Sequence, residues 1–99
     1  MKEVILSADG PLMVYCVPDK VAENLEKYCC AFCDGWLQTS PHAQKYRSKT
    51  GVCYNESDFI DYLNTWVFPN EPSELIENLG FLWEENIPQE HQNCPRFNF

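Results

Sequence analysis

Glu3-Val4-Ile5-Leu6-Ser7-Ala8-Asp9-Gly10-Pro11-Leu12-Met13-Val14-Tyr15-Cys16-Val17 is the stretch whose reading decides the fold. Two β-rich runs flank Asp9-Gly10, a strong turn signal, and Pro11 suits the first position of a strand but not its middle. Residues 3–17 therefore read as a β-hairpin. The second run is apolar at both alternations, so both of its faces need cover or it lies at the centre of a small sheet.

Working outward, Asp19 is an N-cap candidate after Pro18. Val21, Leu25, Tyr28, Cys29, Phe32 and Trp36 follow at three- and four-residue spacing, which predicts one long helix over 19–38 with a single buried stripe. Ser40-Pro41 reads as an N-cap with proline at the first helical position, opening a short helix to about Arg47. Gly51-Val52-Cys53-Tyr54 is extended in pattern, with residues 52–54 a possible third strand of the hairpin's sheet. Asn55 or Ser57 then caps a second amphipathic helix with Phe59, Ile60, Leu63, Trp66 and Val67 inward. A third helix is expected from Pro72, with Leu75, Ile76 and Leu79 inward and Gly80 as its stop. Beyond Phe81 the periodicity dissolves. Trp36 and Trp66 read as core, Trp83 as exposed, and the Phe97/Phe99 tail either as exposed or as folded back to fill a gap in the core. The expected architecture is a single α+β domain over residues 1–99: a small antiparallel sheet covered by one long helix and two or three short ones.

Ninety-nine residues suit one domain. The longest apolar run, Leu12 to Val17, is far short of the ~20 residues of a membrane span, and the N-terminus lacks the apolar core of a signal peptide. Six cysteines without an export signal point to free thiols and a cytoplasmic location. An excess of 15 acids over 7 bases argues against membrane surfaces and against direct contact with nucleic-acid phosphates.

The excess is uneven. Residues 50–95 contain no Lys or Arg but carry Glu56, Asp58, Asp61, Glu71, Glu74, Glu77, Glu84, Glu85 and Glu90, whereas Lys45, Arg47 and Lys49 form a basic patch. On a helical wheel Asp58, Asp61, Glu74 and Glu77 lie opposite the apolar stripes. Such faces commonly serve only solubility. The functional reading is that residues 56–85 dock a basic protein partner through these four acids, with Trp83 as an apolar anchor. Two variants are self-association, the Lys45–Lys49 segment of one copy meeting the acidic face of another, and mimicry of a nucleic acid to inhibit a nucleic-acid-binding protein.

The thiols offer an alternative of another class, a metal-binding or redox protein. Cys30 and Cys33 form the only Cys-x-x-Cys, with no second pair and no paired histidines. Cys30 also falls well inside the predicted helix, away from the N-terminal dipole that activates redox cysteines. Thiols acting as small hydrophobes are the simpler reading, so no cofactor is assigned. His91, in a polar proline-flanked stretch, reads as a surface residue. No nucleophile elbow, phosphate loop or His-Glu-x-x-His is present, and no catalytic residue is assigned.

Leu6-Ser7-Ala8-Asp9-Gly10, Gly51-Val-Cys-Tyr54 with Asp58-Phe-Ile-Asp-Tyr-Leu-Asn64, and the closing Cys94-Pro-Arg-Phe-Asn-Phe99 together resemble a family of small uncharacterised bacterial proteins of about this length. The resemblance implies a bacterial cytosolic protein of the kind carried on mobile elements. It implies no activity, cofactor or catalytic residue.

Overall fold

A computed structural model describes residues 1–99. Strands β1 (Lys2–Ser7) and β2 (Leu12–Val17) form the expected antiparallel hairpin, in register from Lys2 opposite Val17 to Leu6 opposite Met13. Both are interior strands. The sheet has the order β5-β2-β1-β6, where β5 is Glu74–Gly80 and β6 is Arg96–Asn98. β5 runs antiparallel to β2, but β6 runs parallel to β1, so the sheet is mixed and not purely antiparallel.

Alternation along the hairpin sends Val4, Leu6, Met13, Tyr15 and Val17 to one face and Ile5, Leu12 and Val14 to the other. The first face meets the helices. These are α1 (Asp19–Glu23), α2 (Leu25–Cys30), a π-helical segment at Ala31–Trp36 and α3 (Leu37–Thr39). The single long helix expected over 19–38 is broken at Asn24, whose backbone leaves the helical region at φ −134° and ψ 40°, and is underwound at Ala31–Trp36. The predicted stripe nevertheless stays inward, with Val21, Leu25, Cys29 and Phe32 buried.

Ser40 caps the next turn as expected, accepting from the His42 N–H, and Pro41–Tyr46 is a 3-10 helix. β3 (Arg47–Ser48) and β4 (Gly51–Val52) then pair only with each other. Residues 52–54 therefore add no strand to the main sheet, whose two edges are taken by β5 and β6. Asn55 opens α4 (Glu56–Tyr62) with a reciprocal capping box, Asn55 Oδ1 accepting from the Asp58 N–H and the Asp58 carboxylate accepting from the Asn55 N–H. Phe59, Ile60 and Leu63 pack inward, while Trp66, in the π-helical segment Leu63–Val67, is 49% exposed and stacks on His42.

The helix expected from Pro72 is instead β5. Ile76 and Leu79 each fall between registered pairs, because Leu75 and Glu77 oppose the adjacent Tyr15 and Val14, and Asn78 and Gly80 oppose Met13 and Leu12. Two bulges thus break the two-residue period, and the remaining spacing of Leu75, Ile76 and Leu79 imitates a helix. Leu75 and Ile76 are exposed, not inward, and Leu79 is half-buried against the second face. Gly80 does stop the element, at φ +75°, with its N–H bonded to Asn78 Oδ1.

The second face is covered by the aperiodic segment after β5. Ile87 packs on Ile5 and Val14, with Leu12, Leu79 and Cys94 at the margin. The chain then enters β6, where Phe97 lies beside Leu6 and Phe99 reaches the helical side. Phe32 is the hub of that side, its ring within about 6 Å of Trp36, Tyr54, Phe59, Tyr62 and Phe99. The folded-back reading of the tail holds. Asn98 secures it by accepting from Ser7 Oγ at 2.9 Å and the Asp9 N–H at 2.8 Å, and by donating to the Asp9 carboxylate at 2.8 Å.

Phe32→Ala is expected to cost about 3–5 kcal/mol, the usual range for a fully buried phenylalanine. Asn98→Ala should cost about 0.5–1.5 kcal/mol, since it removes the acceptor of Ser7 Oγ while water can reach the exposed Asp9 groups. Urea unfolding of both variants measures these losses, and a change near zero for either would contradict the packing described.

Candidate functional site

The four acids expected to form one surface are carried on opposite sides of the sheet. Asp58 and Asp61 belong to α4, which packs on the helical face, and the Asp58 carboxylate is engaged in the capping box. Glu74 and Glu77 are not helical; they oppose Cys16 and Val14, which places them on the other face. Asp61 also lines a small pocket of about 180 Å³ with Lys45, His42 and Trp66, so one predicted acid shares a recess with one predicted base. Charges segregated along the chain are mixed in space. Of the basic patch, Arg47 donates to the Leu37 carbonyl at 3.0 Å and ties down the start of α3, Lys45 lies over the Tyr46 ring, and Lys49 is exposed.

The edge formed by β5 is where exposed apolar and acidic groups coincide. No strand covers its outer side. Leu75 and Ile76 are exposed along it, followed by Phe81 at 82% and Trp83 at 76% exposure. Phe81, Leu82 and Trp83 surround a shallow recess beside Gly10 of the hairpin turn. Glu71, Glu74, Glu77, Glu84 and Glu85 stand along the same stretch, and only Glu84 meets a Lys or Arg, Arg96 at 3.4 Å. Asn64 positions the start of the strand with a two-bond clamp on the Ser73 backbone, its Nδ2 donating to the carbonyl and its Oδ1 accepting from the N–H.

A second cluster lies over the sheet face away from the helices. His91, expected at the surface, is 6% exposed. Its Nε2 lies 3.2 Å from Glu77 Oε2 in a hydrogen bond and 3.6 Å from Glu90 Oε1. Nδ1 is 3.3 Å from Glu3 Oε1 yet off the direction a hydrogen bond needs, and this buried nitrogen has no hydrogen-bond partner. Cys94 completes the group. The reason for the burial is tertiary, because residues 84–94 have no element of their own beyond short 3-10 turns and lie down on the sheet through Ile87. The one local signal for this cluster is the His91-x-x-Cys94 spacing.

All six cysteines are free thiols. Burial pushes the Cys29 thiol far up, with the neighbouring Cys33 and Cys30 adding to the effect. Burial, then Asp34 and Cys30, also raise Cys33, against a hydrogen bond from Tyr54 that opposes the shift. Burial and then Glu3 raise Cys94. Neither Cys30 nor Cys33 joins a cluster of three possible metal ligands. No helix is long and apolar enough to cross a membrane. Compared with family models, curated proteins and solved structures, the chain finds no match.

A raised thiol pKa lowers the thiolate fraction, and the thiolate is what alkylates. Iodoacetamide labelling followed by mass spectrometry should therefore modify exposed Cys53 first and leave Cys29 protected until unfolding. The linkage runs the same way: a thiol that holds its proton more tightly when folded contributes stability that is complete below its ordinary pKa of 9.0 and is lost as pH rises beyond it. Stability measured by urea should accordingly decline from pH 8 to pH 11, and a flat profile would refute the assignment.

Proposed function

We propose that this protein is a docking module that receives an extended, basic segment of a partner protein along the outer side of β5. The observation that carries the reading is an unpaired edge strand with Leu75 and Ile76 exposed on it, continuous with exposed Phe81 and Trp83. An unpaired edge offers a ladder of backbone donors and acceptors to an incoming strand, and flanking apolar side chains supply the contact area. Glu74 and the neighbouring acids select for Lys and Arg on the incoming segment. The same charge works against a second copy, since two chains of net charge −8 would bring like carboxylates together. The bulges at Ile76 and Leu79 add to this discrimination, because they make the edge a poor template for its own kind.

The earlier set of contacts is thereby narrowed to Glu74, with Leu75, Ile76 and Trp83 as apolar anchors. Asp58 and Asp61 stand on the other side of the sheet, and Glu77 holds His91.

Short synthetic strands test the reading. A peptide alternating Lys with Val should bind, with affinity falling as salt rises, and should protect the outer amides of β5 from hydrogen exchange. Glu74→Lys, at an exposed site, should weaken binding severalfold without changing thermal stability. Equal binding of an acidic Glu/Val peptide, or protection falling on β6 instead of β5, would reject the proposal.

A further inference from the structure

The cluster on the sheet face opposite the helices carries an inference independent of the β5 edge. A carboxylate oxygen of Glu3, a ring nitrogen of His91 and the sulfur of Cys94 all lie within 4.8 Å of one another. Zinc bonds of about 2.0–2.3 Å at tetrahedral angles put neighbouring ligand atoms roughly 3.3–3.6 Å apart. Glu3 is partly exposed and Cys94 half-buried, so small side-chain rotations close that difference.

The imidazole decides what the cluster is for. Glu77 accepts the Nε2 proton and Glu90 stands just beyond it, which fixes hydrogen on that nitrogen. In that neutral tautomer Nδ1 carries the lone pair; it is buried, has no hydrogen-bond partner and lies 3.3 Å from the Glu3 carboxylate. In this tautomer both groups offer only lone pairs to the space between them, which favours a positive species there. A carboxylate holding the far nitrogen of a histidine is the usual support of a histidine that ligates a metal.

We propose that Glu3, His91 Nδ1 and Cys94 bind one zinc ion, with Glu77 and Glu90 as the carboxylates that orient the imidazole. One oxygen, one nitrogen and one sulfur form a donor set that suits zinc better than the all-oxygen metals calcium and magnesium. The fourth position faces a groove of about 540 Å³ lined by Glu3, Glu90, Asn93 and Cys94, which supplies both an entry path and a water ligand. On binding, the Cys94 S–H bond breaks, the proton leaves to solvent and a zinc–sulfur bond forms; no electron is transferred. The cation reverses the local electrostatics that disfavour the Cys94 thiolate.

Position gives the site its consequence. Glu3 is on β1, whereas His91 and Cys94 belong to the segment that covers the second face of the sheet. Zinc would pin that cover to the hairpin, where the backbone already bonds Ile5 N–H to the Pro95 carbonyl at 2.8 Å. Hydrogen bonds from Gln92 Nε2 to the Ile87 carbonyl at 3.1 Å and from Arg96 to the Gln92 carbonyl at 2.8 Å hold the ligand-bearing turn in shape beforehand.

The full-length chain, reduced and stripped of metal, is titrated with zinc by calorimetry and with cobalt(II) as a spectroscopic probe. The expected result is one equivalent per chain, a rise in thermal midpoint, and a sulfur-to-cobalt charge-transfer band. Cys94→Ala should abolish the band, and His91→Gln should abolish binding. Glu77→Gln should weaken zinc by about 10–100-fold. A Cys30→Ala/Cys33→Ala variant should bind as the parent does. Because His91→Gln leaves a buried cavity, nitrogen NMR of the parent supplies a second readout: zinc should shift Nδ1 and leave Nε2 protonated. Absence of stoichiometric binding, a cobalt band that survives Cys94→Ala, loss of binding in the Cys30/Cys33 variant, or an imidazole protonated on both nitrogens whatever the zinc concentration would each overturn the proposal.

Discussion

The β1–β2 hairpin carries apolar side chains on both faces, and the rest of the molecule is arranged by the need to cover them. Sheets with both faces buried require a layer on each side. The helical layer comes first in the chain and covers Val4, Leu6, Tyr15 and Val17 with the Phe32 cluster. The remaining residues supply β5, the second cover and β6 in that order, so that the hairpin ends between two later strands. No second layer of helices covers the other face. An irregular segment, anchored by Ile87 and polar at its rim, does the work instead.

That economy explains where the candidate sites lie. The irregular cover has few apolar residues to bury, and its underside meets the polar end of the hairpin at Glu3. His91 is drawn under by Ile87 and the prolines that flank the turn, and it is left among three carboxylates and a thiol. The β5 edge is exposed for a related reason: the helices cover one face and the irregular segment the other, and neither pairs with the strand's outer side. Bulges and charges along an open edge are general means of keeping it from pairing indiscriminately, and β5 carries both.

Much of the fold was legible locally. The hairpin turn, the stripe from Val21 to Phe32, the Ser40-Pro41 start and the Asn55 cap are contacts within a few residues, and each formed as the residue types require. Trp66 was misread because helical spacing continues through it while the underwound π-helical turn rotates it outward onto His42. β5 was misread because two bulges replace the strand period with helical spacing. The acids were misread in consequence, since a strand and a helix send Glu74 and Glu77 to different places.

What the amino-acid order determined by itself is the class of the protein: a hairpin apolar on both sides, amphipathic helices to cover one of them, one α+β domain, and an acidic surplus borne by its second half. Only the tertiary structure decided which strands flank the hairpin, which acids share a surface, and that His91 is buried beside Glu3, Glu77 and Cys94. The physical reason is range. Turns, caps and helical stripes depend on neighbours a few residues away, whereas the Glu3–His91 approach joins opposite ends of the chain and arises only after both faces of the hairpin have been covered.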